Sequence, residues 1–281
     1  QTNYTSYYHP WSSYRQHHKT EDEEQYPPID YSSTDTLFCF GNNAKGQLGL
    51  GGDAKLVQSH LRGVFPSRFP HVASGMDIHL VATGGYFTIL ATGSRNQQLF
   101  VAGENNYGQL LIDPKKASKL TQWTEVDASH HGHPWLCEHG VKTMGCGRAF
   151  TVLVTNHNRV VAFGCNYSGQ LGLDERSSSG DVASSRFECS EPVGDGSVNI
   201  VKVACGTEHS LLLTSDGRVM CAGSARYSAV RLGDNVPGYG GWRWFQKFDT
   251  GAPFVTDIAC GLFFSCFLVE AGTPGLTLGR P

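Results

Sequence analysis

Two short motifs alternate along this chain, and each recurs at a spacing of about 60 residues. The first is a short apolar strand that ends in glycine, as in Val160–Gly164. Its four glycines lie 62, 61 and 59 residues apart; they are Gly41, Gly103, Gly164 and Gly223. Three copies continue as Gly-x-Asn-x-x-Gly-Gln-Leu, whereas the fourth has Ala225 and Ser228 in place of the Asn and the second Gly. A pattern that recurs at a fixed period indicates a chain built of structural repeats.

A second motif alternates with the first and keeps nearly the same period. It is a stretch of small or apolar residues that ends in glycine, as in Val203–Gly206, and it precedes an alternating strand. Its four glycines lie 63, 59 and 55 residues apart; they are Gly84, Gly147, Gly206 and Gly261. The strands predicted to follow them are 86–92, 149–155, 209–214 and 263–269. Two independent motifs with one period make coincidence untenable as an explanation.

Each repeat has the composition of β-structure. Its strands are rich in Val, Leu, Phe, Thr and Cys, and the turn Asp216-Gly217 favours a hairpin. Glycine makes up 34 of 281 residues, and 40% of the chain is hydrophobic, which is enough to bury a sizeable core. Short antiparallel strands at a fixed period predict an all-β fold, a β-propeller with about four blades made from repeats of about 60 residues.

The two motifs together resemble the repeat of a known family. Val203–Leu213 (Val-Ala-Cys-Gly-x-x-His-Ser-Leu-Leu-Leu) and Gly164–Gly172 (Gly-x-Asn-x-x-Gly-Gln-Leu-Gly) are similar to the repeat of the regulator-of-chromosome-condensation family. The resemblance covers about residues 36–270 and implies propeller blades. Members of that family usually close a ring of seven blades, so about four units imply an incomplete or truncated ring of that type.

The repeats divide the chain into two regions. Residues 1–35 alternate aromatic and polar side chains without a period, and we predict an extended N-terminal arm there. The propeller region is 36–281, with repeats at approximately 36–91, 92–155, 156–214 and 215–270 and the start of a further strand in 271–281. The chain enters with one half of a repeat and leaves with the other half. An open arc of blades would expose strand edges, which proteins normally cover.

Three cysteines and one histidine occupy equivalent positions of successive repeats. Cys146, Cys205 and Cys260 align with Thr83, which favours a tight slot for a small side chain over a functional thiol cluster. Because equivalent thiols lie on separate blades, we predict no disulfides. His209 is expected to pack and not to catalyse. Its equivalents in the other repeats are Phe87, Phe150 and Phe264.

No local motif for catalysis, for a cofactor or for a metal is present in the sequence. The recurring Gly-x-Asn-x-x-Gly lacks the middle glycine and the following helix of a dinucleotide site, so we interpret it as a turn. The segment His130–His139 contains zinc-type ligands, but their spacing matches no standard zinc module and a loop between blades is the favoured interpretation. We therefore expect no catalytic, cofactor-binding or metal-binding residues.

Two aromatic segments are candidates for binding a protein partner. The first is the glycine-rich loop 238–245, whose Trp, Tyr and Arg are the residue types that dominate interfaces. The alternative for this loop is that both tryptophans wedge between blades. The second segment is the N-terminal arm. The candidate residues are Tyr239, Trp242, Arg243, Trp244, Phe245, Tyr7, Tyr8 and Trp11.

Charge and composition exclude several classes of protein. The formal net charge of −3 argues against general nucleic-acid binding, which needs a basic face. No apolar run reaches the ~18 residues of a membrane helix, so no membrane insertion is expected. Nine cysteines, several of them inside apolar strands, favour a reducing intracellular compartment, with the cytosol or mitochondrial matrix ahead of the nucleus.

These features favour a non-enzymatic protein–protein interaction scaffold that is a subunit of a larger assembly. An alternative follows from the family resemblance alone: the founding member acts as a guanine-nucleotide exchange factor on a small GTPase, through one face of its propeller. The repeat motifs are scaffold, so the sequence assigns no residue to exchange. The expected partners are proteins, with a small GTPase as the alternative.

Overall fold

The computed structural model describes residues 37–52, 57–65, 77–93, 98–126, 140–172, 188–189, 199–224, 242–244 and 254–270. The chain divides into two compact units, Gln1–Ser33 and Thr34–Pro281, and every described residue belongs to the second. The predicted N-terminal arm therefore lies outside the described residues. The described part of the chain contains strands and turns, with no helix that could cross a membrane.

The described strands form five antiparallel sheets. The strands are β1 (Leu37–Asn42), β2 (Val57–Phe65), β3 (Ile78–Thr83), β4 (Phe87–Thr92), β5 (Gln98–Glu104), β6 (Lys119–Glu125), β7 (Val141–Cys146), β8 (Phe150–Thr155), β9 (Val160–Gly164), β10 (Glu188–Cys189), β11 (Ile200–Cys205), β12 (His209–Thr214), β13 (Val219–Gly223), β14 (Arg243–Trp244), β15 (Val255–Cys260) and β16 (Ser265–Val269). Three sheets have four strands in chain order, β3–β6, β7–β10 and β11–β14, and we call them blades 2, 3 and 4. The prediction of an all-β fold with repeated antiparallel units is confirmed.

The three complete blades share one register. In each blade the second strand is buried along its whole length, because it lies between neighbouring strands and between neighbouring blades. The aromatic residue that opens this strand pairs with the glycine of the first motif. These pairs are Phe87 with Gly103, Phe150 with Gly164 and His209 with Gly223. The predicted hairpin turn is also confirmed, since Gly217 has a φ of +76° and its N–H donates to the Thr214 carbonyl at 3.0 Å.

Apolar side chains fill the space between successive blades. Between blades 2 and 3, Phe87 and Ile89 pack against Met144 and Phe163. Between blades 3 and 4, Phe150 packs in a cluster with Val203 and other residues of the facing strands. The cores of this region therefore lie between sheets, and each blade is stabilised through its immediate neighbours.

The glycine of the second motif is required by the joint between blades. A side chain on Gly147 would overlap the ring of Phe150 and would lie 2.6 Å from the carbonyl oxygen of Gly206 in the next blade. Gly84 and Gly206 stand in the same relation to their own aromatic ring and to the next glycine carbonyl. Because glycine has no Cβ, the aromatic ring of its own blade and the backbone of the next blade can both lie against it.

The Gly-x-Asn-x-x-Gly-Gln-Leu loops follow the third strand of a blade and are hydrogen-bonded to the next blade. In the third copy, Asn166 Oδ1 accepts a hydrogen bond from the Leu171 N–H at 3.0 Å and fixes the turn. The Gln170 carbonyl then accepts from Ser210 Oγ of the following blade at 2.6 Å. The equivalent bonds run from Thr88 to the Gln47 carbonyl at 2.8 Å and from Thr151 to the Gln109 carbonyl at 3.1 Å. Asparagine therefore shapes the loop, and a hydroxyl in the next repeat holds it.

In the part of the chain that the structure describes, the two remaining sheets have two strands each, and we call them half-blades. Strands β1 and β2 correspond to the two outer strands of a blade, whereas β15 and β16 correspond to the two inner strands. Within the described residues each pair forms its own two-stranded sheet, so β16 and β1 do not join into one blade.

We predict that Gly147→Ala destabilises the fold by ~1–3 kcal/mol, because the new methyl group collides with a ring and with backbone that cannot move away. Chemical unfolding monitored by circular dichroism measures the change. The matched control is Gly52→Ala: nothing lies within 4 Å of a Cβ built there. Equal unfolding midpoints for the two variants would contradict the steric role of Gly147 between the blades.

A candidate partner-binding cleft at the blade tips

Two residues separate each second-motif glycine from the aromatic position, and they form the tip of a blade. The pairs are Gly85-Tyr86, Arg148-Ala149, Thr207-Glu208 and Leu262-Phe263. Neighbouring tips are hydrogen-bonded through the backbone: the Gly85 N–H donates to the Arg148 carbonyl at 3.2 Å, and the Thr207 N–H donates to the Leu262 carbonyl at 3.0 Å. The scaffold fixes where the tips lie, while their side chains differ from blade to blade.

A cleft of about 290 Å³ opens at the tips of blades 2, 3 and 4. Three tyrosines and three charged side chains carry its chemistry. They are Tyr86, Tyr107, Tyr167, Glu104, Arg148 and Glu208. The rings of Tyr107 and Tyr167 meet edge to face, with centroids 6.1 Å apart and planes at 89°. Aromatic rings beside a guanidinium and carboxylates have the composition of a protein-recognition site.

The charges of the cleft are only partly neutralised. Glu104 pairs with Lys45 at 3.2 Å and accepts a hydrogen bond from Asn106 at 2.9 Å. Glu208 accepts from Ser168 Oγ at 3.1 Å, which ties the loop of blade 3 to the tip of blade 4. Arg148 is exposed, and its guanidinium forms no hydrogen bond or ion pair with the described residues. It is therefore available to an acidic or carbonyl group of a ligand.

Burial raises the pKa of Tyr107 above its ordinary value. A tyrosine hydroxyl is already protonated at neutral pH, and the raised pKa extends to higher pH the range in which it can donate a hydrogen bond.

A second cleft of about 570 Å³ follows the ends of the inner strands β3, β7, β11 and β15. Thr83, Cys146, Cys205 and Cys260 line it, so the aligned positions do lie side by side. Burial raises the pKa of Cys146 and of Cys260 to about 12, and it also raises the pKa of Cys205. Protonated thiols are poor nucleophiles and poor metal ligands, which supports a packing role.

The structure gives no sign of metal or disulfide chemistry in the part of the chain that it describes. No group of three potential metal ligands occurs among these residues, and seven of their cysteines are free thiols: Cys39, Cys146, Cys165, Cys205, Cys221, Cys260 and Cys266. The segment His130–His139 lies outside them.

His209 occupies the slot of an aromatic ring. Its side chain is buried in the space left by Gly206, and its Nε2 lies 3.1 Å from Ser265 Oγ of the next sheet. Burial lowers its pKa, so the ring is neutral at pH 7. This placement makes His209 part of the joint between blades.

The tryptophans predicted to bind a partner are half-buried in the joint between blades 3 and 4. The indole of Trp242 fills the space that a side chain on Gly172 would need. Trp244 pairs with Met220 in the sheet, and the guanidinium carbon of Arg218 lies 4.1 Å from the centre of its ring. Both indoles thus have a packing role, and a further role in binding stays a prediction.

The other partner-binding candidates are placed only in part or not at all. Arg243 lies in β14, where its backbone is paired with Cys221. Five candidates lie outside the described residues: Tyr239, Phe245, Tyr7, Tyr8 and Trp11.

Sequence reasoning missed the cleft at the tips. Tyr86, Arg148 and Glu208 stand between constant scaffold positions in an otherwise regular repeat. The available signal was that these tip residues differ between repeats, whereas the glycine before them and the aromatic position after them recur. Packing constrains the recurring positions and leaves the tip positions free to differ.

The comparisons with known proteins place this chain in a family. The regulator of chromosome condensation (RCC1) repeat matches residues 34–91 and 157–213, and a second form of the same repeat matches 141–170 and 200–228. With its glycines, loops and four-stranded blades, the chain belongs to the RCC1 repeat family.

Two longer proteins are similar to this chain over part of their own length. The serine/threonine-protein kinase Nek9 of Xenopus laevis is 27% identical over 237 residues, covering 84% of this chain and 22% of the relative. The secretion-regulating guanine nucleotide exchange factor of Mus musculus is 29% identical over 210 residues, covering 73% and 40%. The chain therefore spans less than half the length of either relative.

Two solved structures share the fold. Human WBSCR16 superposes with a TM-score of 0.64 at 20% identity, covering 83% of this chain and 54% of that structure. Prp20p from Saccharomyces cerevisiae, studied for its binding to Gsp1p and histones, gives a TM-score of 0.58 at 21% identity, covering 80% and 49%. At this level of identity the similarity establishes the propeller architecture.

We predict that Cys146 reacts with iodoacetamide at pH 8 at least a hundredfold more slowly in the folded chain than in urea. With a pKa of about 12 its thiolate fraction at pH 8 is on the order of 10⁻⁴, against roughly a fifth for an ordinary thiol. Peptide mapping by mass spectrometry at timed quenches measures both rates. Similar rates in the two states would contradict this prediction and show that the Cys146 thiol is chemically accessible.

Proposed function

We propose that this chain is a non-enzymatic interaction module, a subunit of a larger assembly that binds a protein partner at the tip cleft. The observation that carries the proposal is the exposed guanidinium of Arg148 beside Tyr86, Tyr107 and Tyr167. Tyrosine and arginine are enriched at the energetic centres of protein interfaces. The rigid backbone beneath them lowers the entropic cost of binding.

The comparisons support protein partners in general terms. Prp20p has been examined for binding to Gsp1p and histones, and a further structure shows it with Kap60. The cysteine usage of the sequence supports a reducing intracellular compartment as the place of binding.

We predict that Arg148→Glu releases the partner, because it replaces the available cation with a third carboxylate in the cleft. The measurement is quantitative mass spectrometry of proteins retained from an extract of the source cells. The matched control is Lys116→Glu, the same reversal of charge at an exposed lysine outside the cleft. Retention of the same proteins by both variants would contradict binding at this cleft.

A second candidate function is guanine-nucleotide exchange on a small GTPase. The relative from Mus musculus named as an exchange factor favours it. A nucleotide-release assay with a panel of small GTPases separates the two candidates. We expect no acceleration by this chain, and acceleration that is lost in Arg148→Glu would establish exchange and overturn the scaffold proposal.

A further inference from the structure

Two opposite charges lie at the tip cleft without neutralising each other. Arg148 belongs to the tip of blade 3 and Glu208 to the tip of blade 4, and both side chains line the cleft. No ion pair joins them within the residues that the structure describes. Glu104, the third charged residue of the cleft, is paired with Lys45 at 3.2 Å. The cleft therefore offers a ligand one cation and one anion.

The carboxylate of Glu208 keeps one oxygen for a ligand. Its Oε2 accepts a hydrogen bond from Ser168 Oγ at 3.1 Å, whereas its Oε1 accepts none from the part of the chain that is described. Ser168 is itself held, because its N–H donates to Gln170 Oε1 at 2.9 Å. The backbone of Glu208 is fixed as well, since its carbonyl accepts from the Ser224 N–H at 2.8 Å. The carboxylate is thus oriented in advance, and a cationic donor can bind its remaining oxygen.

The backbone of Arg148 is fixed in a similar way. Its carbonyl accepts a hydrogen bond from the Gly85 N–H at 3.2 Å, while its side chain is exposed. The guanidinium carries five N–H donors in a planar fork, and this fork matches the two oxygens of a carboxylate. Arg148 therefore suits an acidic side chain of a ligand.

Both charges act on one thiol of the cleft, that of Cys165. Burial is the main cause that raises the pKa of Cys165; the carboxylate of Glu208 raises it further, and the guanidinium of Arg148 lowers it. Exposed charges are largely screened beyond about 8 Å at physiological ionic strength. Arg148 and Glu208 therefore lie close enough together for one short segment to reach both.

A ligand with charge of one sign is disfavoured in this cleft. A basic segment would be attracted by Glu208 and repelled by Arg148, and an acidic segment would meet the reverse. A segment with one basic and one acidic side chain is attracted at both places, and like charges brought together are penalised. The rings of Tyr107 and Tyr167 line the same cleft, and the faces of aromatic rings attract a guanidinium.

We propose that the partner presents to the tip cleft an extended segment in which an arginine and an acidic residue lie two positions apart. The arginine binds Glu208 and packs on the tyrosine rings, and the acidic side chain binds Arg148. Residues two positions apart on an extended strand face the same side, about 7 Å from each other, so both side chains can enter one cleft. This assignment rests on the proposed function, because it names the chemistry of the partner at that same cleft.

The first experiment compares three dye-labelled peptides with capped ends for binding to the 281-residue chain. The mixed peptide is Gly-Gly-Arg-Gly-Glu-Gly-Gly, and the other two carry Arg at both charged positions or Glu at both. Fluorescence anisotropy measures the three affinities. We expect the mixed peptide to bind at least about fivefold more tightly than either like-charged peptide, since each of those replaces one attraction by a repulsion. Equal affinities, a preference for a like-charged peptide, or no saturable binding of the mixed peptide would overturn the proposal.

The second experiment reverses each charge of the cleft in turn. Arg148→Glu is expected to shift the preference to the peptide with two arginines, and Glu208→Arg to the peptide with two glutamates. A preference that is gained also shows that the variant is folded. The matched controls are Lys116→Glu and Asp77→Arg, the same reversals at exposed residues outside the cleft. We expect the controls to keep the preference for the mixed peptide, and the same result for both cleft variants would overturn the proposal.

Retention of the partner from an extract separates this assignment from the proposed function. If Arg148→Glu releases the partner but the unchanged chain does not prefer the mixed peptide, the partner binds the cleft through other chemistry and the assignment alone fails. If the mixed peptide is preferred and Arg148→Glu still retains the partner, the ligand chemistry of the cleft stands and the proposed function fails.

Discussion

The arrangement of blades depends on one steric constraint, the absence of a side chain at the second-motif glycine. Phe150 fits beneath Gly147, and the carbonyl of Gly206 fits beside it, only because no Cβ occupies the space between them. The apolar clusters between blades, and the hydrogen bonds from hydroxyl groups to loop carbonyls, depend on this close approach. The missing Cβ of one glycine per repeat therefore allows neighbouring sheets to lie this close together.

The features that recur in every repeat could be predicted from the sequence. Two motifs with one period predicted the all-β blades, and the strand predicted at 209–214 is the observed β12. The turn at Gly217 followed from local backbone preference, which needs no knowledge of the rest of the chain. The packing role of His209 followed from its phenylalanine equivalents, because a shared slot selects for shape.

The candidate site could not be predicted in the same way. Arg148, Tyr107 and Tyr167 come from three different loops, and only the packing of the blades brings them to one cleft. Trp242 and Trp244 pack within a joint of the chain itself, as one of the two interpretations of their loop expected, and a role in binding stays a prediction. Large aromatic side chains suit both environments, so their identity alone does not distinguish an internal joint from an external one.

The joint between successive blades also has a consequence for motion. Since each blade contacts only its neighbours, the free energy of unfolding is close to a sum of blade terms and nearest-neighbour terms. Blade 3 is held from both sides by the clusters around Phe87 and Phe150. Thermal opening must break one of these clusters before it exposes β8, so amide protons of β8 are expected to exchange slowly.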